Sequence, residues 1–275
     1  MNTTEEKIIQ WYKSGLSTLK IGKMIGKHDE TVRKILIKYG IPRRTRREIN
    51  KKYIVDSHYF DKVNSHEKAY ILGLLFSDGY NDEKEGYISL ILKEEDKYIL
   101  EKINSIIQPL RGLYLNHYHK GRVGKKYYYI YITDKRISQK LAELGCVQRK
   151  SLILEFPSIP ACYVPSFVLG YFDGDGGISK NKHGDYSMYF YGAEKFLRSL
   201  QDILKNTLKI VAPLEQTPYS VCRLTFRRKK FLIRLIKWMY KKQGWFLNRK
   251  YLLCNEFMKT KGVPFNATFF HIKKT

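Results

Sequence analysis

Two short stretches, ILGLLFSDG (71–79) and VLGYFDGDG (168–176), decide how this chain is read. Each is apolar, carries a glycine near its middle (Gly73, Gly170) and ends at Asp-Gly. Glycine has no Cβ, so two helices of this kind can pack backbone against backbone. That packing sets their C-terminal ends side by side. Asp78 and Asp175 then stand together at the negative poles of two helix dipoles. Carboxylates placed so repel each other and the dipoles, and a proton or a bound cation relieves the repulsion. Hard oxygen ligands favour Mg²⁺ over zinc or copper, and the carbonyls of Ser77 and Gly174 are candidate additional ligands. The plainer reading is a pair of helix-ending Asp-Gly turns without metal. A calcium loop of the EF-hand kind is excluded, because its fifth position would be Gly177.

Working outward, the surroundings of the two stretches repeat as well. Strand patterns follow at 87–93 (YISLILK) and 186–192 (YSMYFYG), then helical segments DKYILEKINSII and AEKFLRSLQDIL. Two more strands are expected around 113–119 and 126–133 in the first copy, and around 208–215 and 219–226 in the second. Each copy closes on a helix and a basic turn, LGCVQRKS (144–151) and GWFLNRKY (244–251), at nearly the same distance from its aspartate. The implied fold class is α+β: two αββαββα units paired through their first helices about a pseudo-twofold axis. Residues 65–160 form the first repeat with its inter-repeat linker, and 161–275 the second with a C-terminal extension.

Alternation along the strands suggests a division of faces. In CRLTFR, Arg223 and Thr225, with Arg227 beyond them, oppose Cys222, Leu224 and Phe226. In LYLNHYHK, Tyr114, Asn116, Tyr118 and Lys120 alternate with Leu113, Leu115 and His117. One face suits packing on helices; the other, basic and hydrogen-bonding, suits a DNA major groove. An ordinary half-exposed antiparallel sheet fits the same pattern.

At this point the paired stretches resemble the LAGLIDADG motif of homing endonucleases, with residues 53–250 and the FPSIP linker (156–160) inside the resemblance. The second copy is close to the pattern. The first departs from it, with Phe76 at the earlier acidic position and Ser77 at the small one. The metal-binding position is Asp in both copies. The resemblance implies a monomeric enzyme that cuts both strands of a long double-stranded DNA site across the minor groove. Mg²⁺ or Mn²⁺ would support cleavage, and Ca²⁺ would bind without supporting it. Lys150 and Lys250 occupy the basic-pocket position, where they would steady the reacting phosphate or its waters, with Arg149 and Arg249 beside them. Asp96 and Glu194 fall where the family often places a water-ordering polar residue.

Ahead of the repeats, residues 1–42 read as a small helical module. Thr3 with Glu6, Ser17, Gly15, Gly26 and Gly40 punctuate three short helices. The segment GLSTLKIGKMIGKHDETVRKILIKYGIPRR resembles the helix-turn-helix of resolvases. Thr31, Arg33 and Lys34 lie on the outer face of the expected recognition helix. A three-helix cap for protein docking is the alternative. The linker expected at 43–64 carries Arg43, Arg44, Arg46 and Arg47, suited to phosphates or simply solvated.

The whole composition agrees with a polyanion partner: 51 Lys+Arg against 26 Asp+Glu, a formal net charge of +25. Four dispersed cysteines with no CxxC pair argue against zinc and for reduced thiols. No apolar run is long enough for a bilayer, and the first residues do not read as a signal peptide, so a cytoplasmic setting (bacterial, phage or organellar matrix) is expected. Three other classes compete. A regulator combining the same two modules would have lost cleavage, but typically also the acids kept here. An RNA maturase would use the same basic surface. An intein is disfavoured by the absence of its terminal residues.

Overall fold

The computed structural model describes residues 3–13, 16–43, 55–109, 111–116, 126–148, 150–218, 220–241 and 244–265. The chain divides into two compact units, Met1–Ile54 and Val55–Thr275. The first unit holds α1 (Thr3–Lys13), α2 (Thr18–Ile25) and α3 (Asp29–Lys38) around Ile8, Tyr12, Ile21, Val32 and Leu36. Ser17 caps α2 by accepting from the Lys20 amide at 3.2 Å, and Gly26 ends it in the left-handed region at φ 65°. Glu5 ties α1 to the end of α3, accepting from Tyr39 Oη at 2.5 Å and from Lys38.

In the second unit α4 (His66–Ser77) leads into β1 (Gly79–Asp82), β2 (Tyr87–Lys93), α5 (Lys97–Ile107), β3 (Tyr114–Asn116), β4 (Tyr127–Thr133) and α6 (Lys135–Glu143). The second half repeats this with α7 (Val164–Asp175), β5 (Gly176–Lys180), β6 (Tyr186–Gly192), α8 (Glu194–Leu208), β7 (Leu214–Gln216), β8 (Cys222–Phe226) and α9 (Lys229–Tyr240). A further helix, α10 (Asn248–Thr260), starts in the second basic turn and occupies a stretch from which the sequence yielded no motif. Both sheets are antiparallel with the same strand order, β1-β2-β4-β3 and β5-β6-β8-β7. The α+β architecture of two αββαββα units is therefore present. Strands β1 and β5, which the strand patterning does not single out, are short and begin at the glycine just after the helix-end aspartate.

Why these helices lie at the centre follows from their composition. Every residue from Ala69 to Phe76 in α4 is buried, as are Ser166 to Asp173 in α7, so both are buried all round and mostly apolar, and belong between layers. By contrast, α8 buries only one stripe, Phe196, Leu197, Leu200 and Leu204, against its sheet. A single apolar core runs through both repeats. Tyr59, Phe60 and Val63 belong to it, so residues 55–64, expected as part of a linker, pack into the main unit. Among the described residues no helix is long and apolar enough to cross a membrane. Cys146, Cys222 and Cys254 are buried free thiols and Cys162 is an exposed one.

Candidate active site

The site begins with the contact between α4 and α7. A Cβ placed on Gly73 would lie 2.0 Å from the Phe167 carbonyl oxygen, and one on Gly170 would lie 2.0 Å from that of Tyr70. The two contacts are mirror partners across the pseudo-twofold axis, and only glycine leaves room for either. Close approach continues to the helix ends. A Cβ on Gly174 would meet Ser77 Oγ at 2.0 Å and Asp78 Oδ2 at 3.1 Å. The Asp78 carboxylate therefore reaches over the last turn of α7, one residue before Asp175. Ser77 Oγ donates to the Leu74 carbonyl at 3.0 Å, which folds its hydroxyl back onto its own helix.

This crowding perturbs both acids. Asp175 is pushed up to about 6, first by burial and then by the charge of Asp78, against the pull of Lys150 and Lys250. Asp78 is also raised, by loss of solvation, while Lys250, Lys150 and Arg249 oppose the rise. Its residue surface is open to solvent even though protein atoms surround the carboxyl on most sides. It is thus a recessed group that water can reach, and the local medium rather than full enclosure governs its charge.

Lys150 and Lys250 both stand beside the acids, yet they are not free side chains. Lys150 Nζ donates to the Gly79 carbonyl. Lys250 Nζ donates to the carbonyls of Phe172, Asp173 and Gly176 at 2.5, 2.7 and 2.6 Å. An ammonium has three donors, so Lys250 is saturated by the end of α7 and neutralises its dipole there. Burial lowers its pKa to about 8. Both lysines are buried, at 8% and 5% exposure.

Other expected residues are placed as follows. Arg249 Nε donates to buried Asp96 at 2.9 Å, tying the second basic turn to the start of α5. Glu194 accepts from Arg198 at 2.9 and 2.6 Å, an ordinary first-turn helix pair. Arg223 is half-exposed on the open face of β8 and holds Glu215 on β7 at 2.6 Å. Thr225 departs from expectation: it is only 6% exposed and its hydroxyl has no partner among the described residues. Neighbouring side chains cover it, so it does not belong to the accessible surface. Arg227 and Arg43 are exposed. On α3, Thr31 and Lys34 are exposed, whereas Arg33 is engaged by Asp29 at 2.8 Å and Glu30 at 3.2 Å. Asn116 ends β3. Arg44, Arg46, Arg47, Tyr118, Lys120 and Arg149 lie outside the described residues.

Asp173 is the functional-looking residue that sequence reasoning passed over. It is fully buried, accepts from Tyr70 Oη at 2.7 Å and from the Leu247 amide at 2.8 Å, and leaves Oδ1 without a partner among the described residues. Burial pushes it up to about 6. It joins α4 to the turn before α10. The signal was available: the two copies differ there, acid against Phe76, and a buried acid needs partners that a phenyl ring does not.

No family model matches the chain. A protein of Methanocaldococcus jannaschii, "Uncharacterized protein MJ0314", is 25% identical over 146 residues, 52% of this chain, and the chain spans about half (54%) of that protein's length. Among solved structures, the homing endonuclease I-WcaI bound to its DNA recognition sequence is similar with a TM-score of 0.52 and 13% identity, over 79% of this chain and 96% of that one. I-SmaMI bound to uncleaved DNA target in the presence of calcium ions has a TM-score of 0.48 and 12% identity, over 70% and 91%. Full-length DUF199/WhiA from Thermatoga maritima has 0.46 and 14%, over 76% and 66%. With two αββαββα units joined through glycine-packed central helices, and the I-WcaI fold matched over most of both chains, this protein has the LAGLIDADG homing-endonuclease fold.

Proposed function

We propose that the chain is a site-specific DNA endonuclease that hydrolyses phosphodiester bonds in both strands, with Asp78 and Asp175 at its catalytic centre. One observation carries the reading. Two carboxylates of raised pKa are forced together at the ends of helices that only glycines allow so close. A protein selected for stability alone has no reason to keep that repulsion.

The residues present fit a hard divalent ion. The donors are oxygens, namely the two carboxylates with the Ser77 and Gly174 carbonyls as candidates, and no His or Cys is among them. Among the described residues no group of three or more His, Cys, Asp or Glu is placed to hold a metal ion by itself. That donor set suits Mg²⁺ or Mn²⁺, which are commonly held by one or two carboxylates with substrate phosphates and water completing the shell. Such an ion would supply Lewis-acid stabilisation and a more acidic bound water. The chain's own residues do the rest. Asp78 and Asp175 fix the position of positive charge between two strands. Lys250 holds the end of α7 in place, and Lys150, tied to the Gly79 carbonyl beside Asp78, is the lysine assigned to the reacting phosphate or its waters. The net charge of +25 supplies the long-range attraction for duplex DNA.

Incubating the protein with a random duplex library and Mg²⁺, then sequencing cut ends, tests this. Enrichment of one long site cut in both strands is expected. Binding of a site without cutting would make the chain a non-cleaving regulator instead. Protons compete with the cation for Asp175, whose pKa is about 6. Apparent metal affinity should therefore be level above about pH 7 and fall as pH drops through 6, losing roughly tenfold per unit for one proton displaced. Cleavage titrated with Mn²⁺ at several pH values reads this directly; a pH-independent midpoint would remove Asp175 from the ligand set.

The front unit, with α3 presenting Thr31 and Lys34, is read as a helix-turn-helix that lengthens the site. Deleting residues 1–54 should shorten the footprint by several base pairs and weaken binding by at least tenfold at moderate salt, while cleavage of a saturated site persists. An unchanged footprint would assign these helices another task.

A further inference from the structure

The two basic turns are fastened by different means. At the first, Asn81 Nδ2 donates to the Cys146 carbonyl at 2.7 Å, Cys146 Sγ donates to the Leu75 carbonyl at 3.5 Å, and Lys150 Nζ donates to that of Gly79. All of these partners belong to the first repeat. The second turn, 244–250, is held from across the pseudo-twofold axis. Tyr98, in the first turn of α5, donates its hydroxyl to the Phe246 carbonyl at 2.7 Å and accepts from the Asn248 amide at 2.6 Å. That amide is one of the N–H groups left without an intrahelical partner at the start of α10. Asp96, just before α5 and only 2% exposed, receives Arg249 Nε at 2.9 Å. Lys102 donates to the Gly244 carbonyl at 3.4 Å, with its ammonium 5.3 Å from the centre of the Trp245 ring.

Tyr98 and Lys102 stand four residues apart and share one face of α5. A single helix of the first repeat, with the residue that precedes it, therefore grips a loop of the second repeat at Gly244, Phe246, Asn248 and Arg249. That loop holds the end of α7 at two places. The Leu247 amide donates to the Asp173 carboxylate at 2.8 Å, and Lys250 Nζ donates to the carbonyls of Phe172, Asp173 and Gly176. Asp175 lies between these anchor points along the chain. The arrangement is not repeated on the other side: Glu194, which opens α8, pairs with Arg198 on its own helix.

We propose that Tyr98 and Asp96 are positioning residues for Asp175, an inference that rests on the endonuclease reading above. They hold the turn that holds the last turn of α7, so the first repeat sets the place of the second repeat's acid. A ligating carboxylate must be kept within about 0.2 Å of its working distance, and groups that orient such ligands from behind commonly matter by tenfold to a hundredfold in metal affinity or activity. Asp78 is held by the first repeat alone, through Lys150 and Cys146. Loosening the contact at Tyr98 or Asp96 therefore displaces one acid and spares the other. In a site built about a pseudo-twofold axis the two scissile phosphates lie on opposite sides, so the error falls unequally on the two strands.

The test is cleavage of a plasmid carrying the selected site by the full chain over a range of Mn²⁺ concentrations, with each strand end-labelled so that its rate is read separately. Tyr98→Phe keeps the ring and removes both hydrogen bonds. Asp96→Ala releases Arg249 at the other edge of the same contact. Each should slow one strand by on the order of tenfold to a hundredfold and the other by less than about threefold, and raise the Mn²⁺ midpoint by about tenfold. Nicked circles should accumulate, and both variants should spare the same strand. Asp96→Asn keeps an acceptor for Arg249 and should stay close to the parent. Circular dichroism melts check folding, and two variants at separate points keep the test readable should one of them not fold. Equal slowing of both strands, opposite strands spared by the two variants, or parental kinetics in folded Tyr98→Phe protein would overturn the proposal while leaving the endonuclease reading intact. A parent that binds the site and cuts neither strand would reject that reading, and this inference with it.

Discussion

Asp78→Asn and Asp175→Asn are each expected to abolish double-strand cleavage, a loss of roughly a thousandfold or more, while the protein melts at the same temperature as the parent or higher. The two halves of that expectation come from one cause. In the metal-free protein both carboxylates are raised above their ordinary range, so their charged forms cost the fold free energy at neutral pH. Asparagine keeps the shape and removes the charge. The sign is fixed by linkage. A carboxyl whose folded pKa exceeds its unfolded value binds more protons when folded, so its contribution to stability declines as pH rises between those two values. Replacing it by a neutral amide removes that decline. Cleavage, by contrast, needs the negative charge to hold a cation. DNA binding should survive, because a charge that repels phosphate has been deleted. A plasmid linearisation assay and a thermal melt on the same sample check both. A variant that still linearises its site at the parental rate would remove that aspartate from the chemistry, and one that is inactive because it is unfolded would leave its melt as evidence of a structural role.

Gly73→Val and Gly170→Val should be the most damaging substitutions for the fold itself. A Cβ at either position would stand 2.0 Å from a carbonyl oxygen of the facing helix, about half an ordinary van der Waals contact, and valine adds two methyl groups beyond it. The obstacle is backbone on a buried helix, so no side chain can rotate away. Relief requires α4 and α7 to separate, which opens the core along their whole length. A loss of about 3 kcal/mol or more is expected. In a unit of this size that corresponds to a fall of roughly 6–12 °C in melting temperature. Because the same helices carry Asp78 and Asp175, whatever protein folds should also bind cations poorly. A control at Gly184, where φ is 83° but nothing lies within contact of a new Cβ, separates backbone strain from helix crowding.

How much of this was legible before the structure can be argued residue by residue. Gly73, Gly170, Asp78 and Asp175 were readable because each makes a demand that few residue types meet: absence of a side chain, or charge at a helix end. The strands YISLILK and YSMYFYG were readable because alternating burial writes itself into composition, and both fall at the observed β2 and β6. Strands β1 and β5 were not placed, since strands of four and five residues starting at a glycine carry no period long enough to detect. Asp173, Asp96 and Thr225 show a different failure. Their neighbours come from distant parts of the chain: Tyr70 and Leu247 for Asp173, Arg249 for Asp96. Only folding identifies those partners. Lys150 and Lys250 look equivalent in sequence, yet among the described residues one meets a single carbonyl and the other three, a difference set by how each helix end is packed. The line of rings Tyr80, Tyr87, Tyr131, Tyr129 and Tyr114 across the first sheet was invisible for the same reason. Its members come from four strands, and register rather than sequence spacing brings them into one line.

Diffraction from crystals of the protein with its selected DNA and Mn²⁺, recorded at the manganese absorption edge, tests the central claim most directly. Anomalous peaks about 2.1–2.3 Å from carboxylate oxygens of both Asp78 and Asp175, beside the phosphates to be cut, are the predicted result. Manganese bound elsewhere, with those two side chains free of it in the DNA complex, would contradict the account.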